Sequence, residues 1–212
     1  MITIYHLDNS RSERIVWLAE ELGIPYEVKT FLREQGLAPA AFREIHPLGR
    51  APVIRDADLT LMESGAICEY LTHKYGAGTL APDADSPEYP WYLEWMHFAE
   101  GSAMSGLLVE LIQSMSQADP QRVAHQQQRN AAMLDYVNSV LAQRQYLAGD
   151  TFSAADINME FCFAFAERSL ELAREKYPNI ARWLDQIRAR PGYAKAMAQC
   201  APQQELPFKR PQ

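Results

Sequence analysis

The chain has 212 residues, enough to bury a sizeable core in one large domain or two small ones, and is 48% hydrophobic and 22% charged, ordinary values for a soluble globular protein. Its net charge of −7 excludes a nucleic-acid partner, since phosphate binding needs clustered Lys and Arg and the only basic cluster is the pair Lys209-Arg210. No apolar stretch approaches the roughly 18 residues of a membrane span, and the early charges Asp8, Arg11, Glu13 and Arg14 rule out a signal-peptide apolar region. Cys68, Cys162 and Cys200 are odd in number and far apart, with neither metal-ligand nor disulfide spacing. A cytoplasmic, reduced protein without a metal is expected.

In chain order, Ile2 to His6 is a β-rich run closed by the polar turn Asp8-Asn9-Ser10. Ile15, Val16, Leu18, Ala19 and Leu22 then follow helical spacing, and Gly23 stands where a left-handed residue ends a helix. Tyr26 to Phe31 reads as a second strand, so the first two strands form a βαβ unit and a parallel pair. A short helix is expected from Pro39 to Ile45. Val53 to Arg55 and Leu59 to Leu61 flank Asp56-Ala57-Asp58 as a hairpin, and Ser64 to Tyr75 is a further helix. The order β-α-β-α-β-β-α is that of a small α/β domain over residues 1–78.

Gly76 to Pro90 carries two glycines, three prolines (Pro82, Pro87 and Pro90) and several acidic residues, the chemistry of a linker, which is placed at residues 79–87. Residues 88–212 read as all-helical, with segments Trp91 to Met115, Arg122 to Ala142, Ala154 to Glu175 and Asn179 to Ala189, and a short helix after Pro191. Ser153 and Asp156 sit at the N-cap and N3 positions of a capping box, flanked by the hydrophobic staple Phe152 and Ile157. That motif belongs to folding.

Three segments of the α/β domain can carry polar groups to an edge where a small acidic peptide would lie. Ser10 precedes the first helix, whose N–H groups and dipole favour an anion. Ala51-Pro52 precedes a strand and is a candidate cis bond. Glu63-Ser64 opens a helix, with Ser64 read as its N-cap.

The ordered set Ser10-Arg11-Ser12, Gly49-Arg50-Ala51-Pro52-Val53, Glu63-Ser64-Gly65-Ala66-Ile67 and Ser153-Ala154-Ala155-Asp156 resembles the cytosolic glutathione transferase pattern, of a bacterial, serine-type and theta-like kind, across essentially the whole chain. The resemblance implies a thioredoxin-like N-terminal domain, an all-helical C-terminal domain and a homodimer. It implies that Ala51, before Pro52, pairs its backbone with the cysteinyl unit of glutathione, while Glu63 and Ser64 hold the γ-glutamyl group. His46 and Arg50 fall near the glycyl end, and Glu100 matches an acidic residue that reaches the neighbouring subunit's glutathione.

Three hydroxyls compete as activator of the thiol. Ser10, followed four residues later by Arg14, fits the serine-type pattern and is preferred. Tyr5 occupies the position used by tyrosine-type members, and Ser12 is a third hydroxyl in the same loop. A cysteine-type member needs a Cys in this loop, and there is none. The activity implied is conjugation of glutathione to a small electrophilic apolar substrate, with peroxide reduction as a variant. The competing reading is a non-catalytic glutathione- or ligand-binding protein of the same fold.

Overall fold

The structure is a computed structural model and describes residues 1–205; Lys209 and Arg210 lie outside them. It divides into two compact units: Met1–Ala81 with the described part of the segment that begins at Arg188, and Pro82–Ile187.

The first unit is built on a four-stranded sheet of β1 (Ile2–Leu7), β2 (Tyr26–Phe31), β3 (Val53–Asp56) and β4 (Leu59–Met62), in the order β2-β1-β3-β4. The β1–β2 pair is parallel and the other two are antiparallel. The crossover between the parallel strands is α1 (Glu13–Leu22), which Gly23 ends at φ 62°, its N–H returning to Ala19 and Glu20 carbonyls. A residue with a Cβ is disfavoured there, so the sequence stops the helix where the chain must turn back to the sheet. Two further helices follow, α2 (Phe42–Ile45) and α3 (Ser64–Tyr75).

Strand alternation sorts the core. Tyr5 and Leu7 face one side, where Phe42 from α2 and Val53 close an apolar cluster. Ile2, Ile4 and His6 face the other. On α1 the run Ile15–Ala19 is fully buried, and Trp17 stacks edge-on against Tyr193 of the last helix, Pro191–Gln199, at 5.0 Å. The same helix is tied down by a bidentate pair from Arg190 to Glu21, at 2.9 and 2.7 Å. These contacts explain why the C-terminal helix groups with the α/β unit and not with the helical half to which periodicity assigns it. The β3–β4 hairpin is anchored by Asp56, whose Oδ2 accepts from Tyr70, Lys74 and Tyr75 of α3.

The second unit contains α4 (Tyr89–Phe98), α5 (Ser105–Ser114), α6 (Pro120–Leu141), α7 (Ala154–Leu170) and α8 (Pro178–Arg188) up to Ile187. Its first expected helix is therefore interrupted: a π turn, Ala99–Met104, joins α4 to α5. At that point Asn158 Nδ2 donates to the Met96 carbonyl at 2.8 Å and Cys162 Sγ to the Ala99 carbonyl at 3.2 Å. Side-chain donors entering the carbonyl ladder widen or bend a helix locally. The α7 helix ends earlier than expected, at Leu170, because Glu171 takes a left-handed conformation at φ 56°. No helix among the described residues is long and apolar enough to cross a membrane.

The capping box at α7 is present, and Asp156 does more than a cap requires. Its Oδ2 accepts from the Ser153 N–H and hydroxyl, while Oδ1 accepts from the Leu147 N–H and from Trp183 Nε1 on α8. The carboxyl is fully buried, and burial pushes it up against the pull of those donors. Replacing it with Ala strands three buried N–H groups instead of one, each costing about 1–3 kcal/mol. Asp156→Ala should therefore lose at least about 3 kcal/mol in urea unfolding, well above the roughly 1 kcal/mol of a plain cap. Ser153→Ala should lose only about 1 kcal/mol by the same measurement.

Candidate active site

Sheet register assembles the candidate residues. Tyr5 of β1 stands opposite Val53, the first residue of β3, and Val53 stands opposite Met62, the last residue of β4. The loop leaving β1, the Ala51-Pro52 approach to β3 and the Glu63-Ser64 exit from β4 consequently share one end of the sheet. Three segments distant in sequence meet because antiparallel strands put starts beside ends.

The loop leaving β1 is held from below by polar contacts. Asp8 is buried, its carboxylate accepting the backbone N–H groups of Gln203 and Gln204 and the Asn9 amide. Arg33, just past β2, donates to the Asp8, Asn9 and Gly36 carbonyls at 2.9 Å each. On this base Ser10, Ser12 and His6 form a line. Ser10 Oγ lies 2.7 Å from Ser12 Oγ, which lies 2.8 Å from His6 Nδ1. The Leu7 N–H also donates to Ser12 Oγ, and the Ser12 N–H to Ser10 Oγ. Ser10 is thus not the helix cap; Ser12 precedes α1, with no side-chain cap bond. The Ser10 hydroxyl is engaged in its own turn, which removes it from the helix N–H groups.

At the opposite loop the cap of α3 is Glu63 at φ 74°, ψ 115°, and Ser64 is the first helical residue. The expectation of a Ser64 N-cap fails because that hydroxyl accepts from Arg14 Nη1 at 3.0 Å. Arg14 is itself buried on α1, so this bond fastens the first helix to the third. Glu63 is exposed and holds a conformation that costs a non-glycine residue on the order of 1–3 kcal/mol. The Ala51-Pro52 bond is cis.

His46 follows α2, its Nδ1 accepting the Leu48 N–H at 3.4 Å, and Arg50 is exposed in the same loop. Tyr5 packs in the apolar cluster with Phe42, on the face opposite His6, with the Arg55 guanidinium 5.8 Å above its ring. Glu100 lies in the π turn of the second unit. The structure thus gathers Ser10, Ser12, Arg14, Ala51, Pro52, Glu63 and Ser64 around one sheet end of the first unit.

Residues 10–74 match the family model of the glutathione S-transferase N-terminal domain, and residues 102–191 that of the glutathione S-transferase C-terminal domain. Glutathione S-transferase 3 of Schizosaccharomyces pombe is 37% identical, over 90% of this chain and 84% of that protein. The chain belongs to the glutathione S-transferase family. A crystal structure of a glutathione S-transferase from Actinobacillus pleuropneumoniae superposes with a TM-score of 0.87 at 31% identity, covering 94% of this chain and 93% of that one. A glutathione transferase homologue from Lodderomyces elongisporus, solved with two glutathione molecules per subunit, shares the fold at a TM-score of 0.80 and 22% identity, covering 93% of this chain and 98% of that one.

Within this member of the glutathione S-transferase family, the sequence alone did not single out His6, Asp8 or Arg33. His6 reads as one more strand residue, and the only signal was a polar side chain on the face that Ile2 and Ile4 place in the core. Asp8 and Arg33 reveal themselves only through contacts between loops far apart in sequence. Among the described residues no group of side chains could hold a metal ion.

Burial pushes the His6 imidazole down to about 4, with Asp8 pulling the other way. A folded value below the unfolded 6.5 means that the unfolded chain takes up the proton first. Stability is therefore complete above pH 6.5 and falls as the pH drops toward 4. A shift of about 2.5 units corresponds to about 3 kcal/mol. Urea titrations between pH 7 and 4 should show stability falling by about this amount more in the parent than in His6→Asn, the upward-shifted Asp156 being common to both. The Asp56 carboxyl, held down to about 2 by Lys74 and Tyr75, adds its own loss only below pH 4, so the two windows separate.

Proposed function

We propose that this chain is a cytoplasmic glutathione transferase in which Ser10 donates a hydrogen bond to the glutathione sulfur and stabilises the thiolate. The observation that carries the reading is the hydroxyl line from buried Ser12 to Ser10 at the sheet end that also presents Ala51, Glu63 and Ser64. Membership of a glutathione-using family supports the co-substrate. On this reading the Ala51 backbone pairs with the cysteinyl unit, while the Glu63 carboxylate opposes the γ-glutamyl ammonium and Ser64 binds its carboxylate. His46 and Arg50 are placed near the glycyl end.

The chemistry follows from acidity. A free thiol has a pKa near 8.5, so only a few per cent is thiolate at neutral pH. Lowering that value by about two units takes roughly 2.7 kcal/mol, within reach of a hydroxyl donor and the start of α1 together. The thiol proton passes to solvent. The thiolate then forms a carbon–sulfur bond with a small apolar electrophile, and the leaving group departs with its electron pair.

Binding and activation separate experimentally. Ser10→Ala should raise the pKa of bound glutathione by about one to two units and slow conjugation at neutral pH about three- to twenty-fivefold. Its affinity for glutathione should stay nearly constant. Replacing Glu63 and Ser64 together with Ala should weaken affinity at least about tenfold, because charge-assisted hydrogen bonds contribute about 1.5–3 kcal/mol each. Thiolate absorbance against pH and calorimetry read the two effects. If Tyr5→Phe moves the titration and Ser10→Ala does not, the enzyme is tyrosine-type; if binding persists without turnover of any electrophile, it is a binding protein.

The family resemblance also supports a two-fold homodimer in which Glu100 serves the neighbouring subunit's glutathione. Sedimentation at micromolar concentration should give a dimer, and Glu100→Gln should weaken glutathione binding. A monomer with undiminished affinity would remove this assignment.

A further inference from the structure

We infer that His6 is a positioning residue, present as its Nδ1–H tautomer, that orients the Ser12 and Ser10 hydroxyls so that the Ser10 proton points out of the protein toward the glutathione sulfur. This rests on the assignment of Ser10 as the thiol-activating donor.

The inference comes from counting protons and lone pairs around Ser12. Its hydroxyl has one proton and two lone pairs. The Leu7 N–H fills one lone pair at 3.2 Å. His6 Nδ1 at 2.8 Å and Ser10 Oγ at 2.7 Å compete for what is left. The Leu7 carbonyl, at 3.5 Å, is a poor rival for the proton.

Two arrangements satisfy the geometry, and they send the Ser10 proton in opposite directions. If Nδ1 carries the hydrogen, His6 fills the second lone pair of Ser12, and the Ser12 proton must go to Ser10. Ser10 then accepts twice, from the Ser12 hydroxyl and from the Ser12 N–H at 3.3 Å. Its own proton has no acceptor left in the line and is available to an outside atom. If Nε2 carries the hydrogen instead, Ser12 donates to Nδ1 and Ser10 donates inward to Ser12. The sulfur then loses its donor.

The surroundings of Nε2 choose between them. That atom is buried and has no hydrogen-bond partner among the described residues. A buried N–H left without an acceptor is rarer and costlier than a buried lone pair left without a donor. The Nε2–H form strands a donor, whereas the Nδ1–H form strands only a lone pair. Burial also keeps the ring neutral at physiological pH, which leaves a single ring hydrogen to place. Ser10 is the one member of the line that reaches the surface, at 7% exposure against 0% for Ser12 and His6. An outward proton therefore has somewhere to go, and the donated Ser12 hydrogen bond strengthens it as a donor.

The test has a spectroscopic arm and a titration arm. Nitrogen-15 shifts of His6 in the free enzyme should show a protonated Nδ1 and a lone-pair Nε2; the reverse assignment overturns the inference. In the complex with glutathione, His6→Phe should raise the thiol pKa by about one unit, roughly threefold less thiolate at neutral pH. Glutathione affinity should not change. His6→Asn, whose amide can donate from the same place, should restore most of the shift, and Ser12→Ala should reproduce part of it. In a Ser10→Ala background His6→Phe should add nothing. If Ser10→Ala itself leaves the titration unmoved, the Ser10 assignment fails and takes this inference with it. If Ser10→Ala moves the titration while His6→Phe and Ser12→Ala do not, Ser10 stands and the role of His6 alone is refuted. Should the Phe variant fail to fold, the tautomer and Ser12→Ala decide the matter.

Discussion

Opposing Tyr5 to Val53 and Val53 to Met62 is the constraint on which the site depends. Side chains alternate along a strand, so slipping either pairing by one residue would exchange the faces of the sheet. Leu7 would leave the Phe42 cluster and His6 would enter it, dissolving the line to Ser12. The same slip would displace the Glu63 exit from the loop that carries Ser10. Apolar burial on both faces of β1 therefore fixes the geometry of the candidate site as well as stability. Roughly 1.5–3 kcal/mol per misplaced large side chain makes the alternative registers inaccessible.

Register brings the loops together, and polar bonds then lock them. Arg14 reaches from α1 to Ser64 at the start of α3, while Asp8 and Arg33 hold the turn between β1 and α1. Buried polar groups of this kind are stabilising only when their partners are in place, since each loss leaves an unsatisfied charge or N–H. The loop that carries Ser10 is accordingly pinned at its base and open only at its tip. That is the arrangement a donor needs if it is to meet a forming thiolate without reorganising.

Much of this was legible in the sequence where the determining signal is local. The βαβ unit followed from apolar spacing in Ile15–Leu22 with Gly23 behind it, and the α7 cap from Ser153 and Asp156 three residues apart. The approach to β3 and the entry to α3 were legible as motifs, though not their caps: the Ser64 hydroxyl was spoken for by Arg14, fifty residues away. What stayed hidden depends on contacts across the chain. Nothing in the periodicity of Trp91 to Met115 announces a π turn, because the competing donors Asn158 and Cys162 come from another helix. The docking of Pro191–Gln199 on α1 depends on the Trp17–Tyr193 and Glu21–Arg190 pairs, again invisible to a window of one helix. His6 is the sharpest case. Its place in a line of hydrogen bonds to Ser12 and Ser10, and the buried surroundings of its other ring nitrogen, are made only by the fold.

Of the left-handed non-glycine residues and the buried polar atoms without a partner among the described residues, Glu63 and Nε2 of His6 lie at the sheet end that carries the candidate residues. Each opposes folding by an amount on the order of 1–3 kcal/mol, comparable to a sizeable part of a domain's net stability. Neither would persist unless the surroundings determined it more strongly. For Glu63 that determination comes from β4 on one side and the Arg14–Ser64 bond on the other. For His6 it comes from the strand, which fixes the ring in the core, and from Ser12, which takes up Nδ1. A charged imidazole would attract a thiolate more strongly, but burying it would cost far more than one missing hydrogen bond. A neutral ring that hands its single hydrogen to a neighbour achieves direction instead of charge. Under the proposed role of Ser10, direction is what its hydroxyl requires, since a hydroxyl stabilises an anion only when its proton faces it.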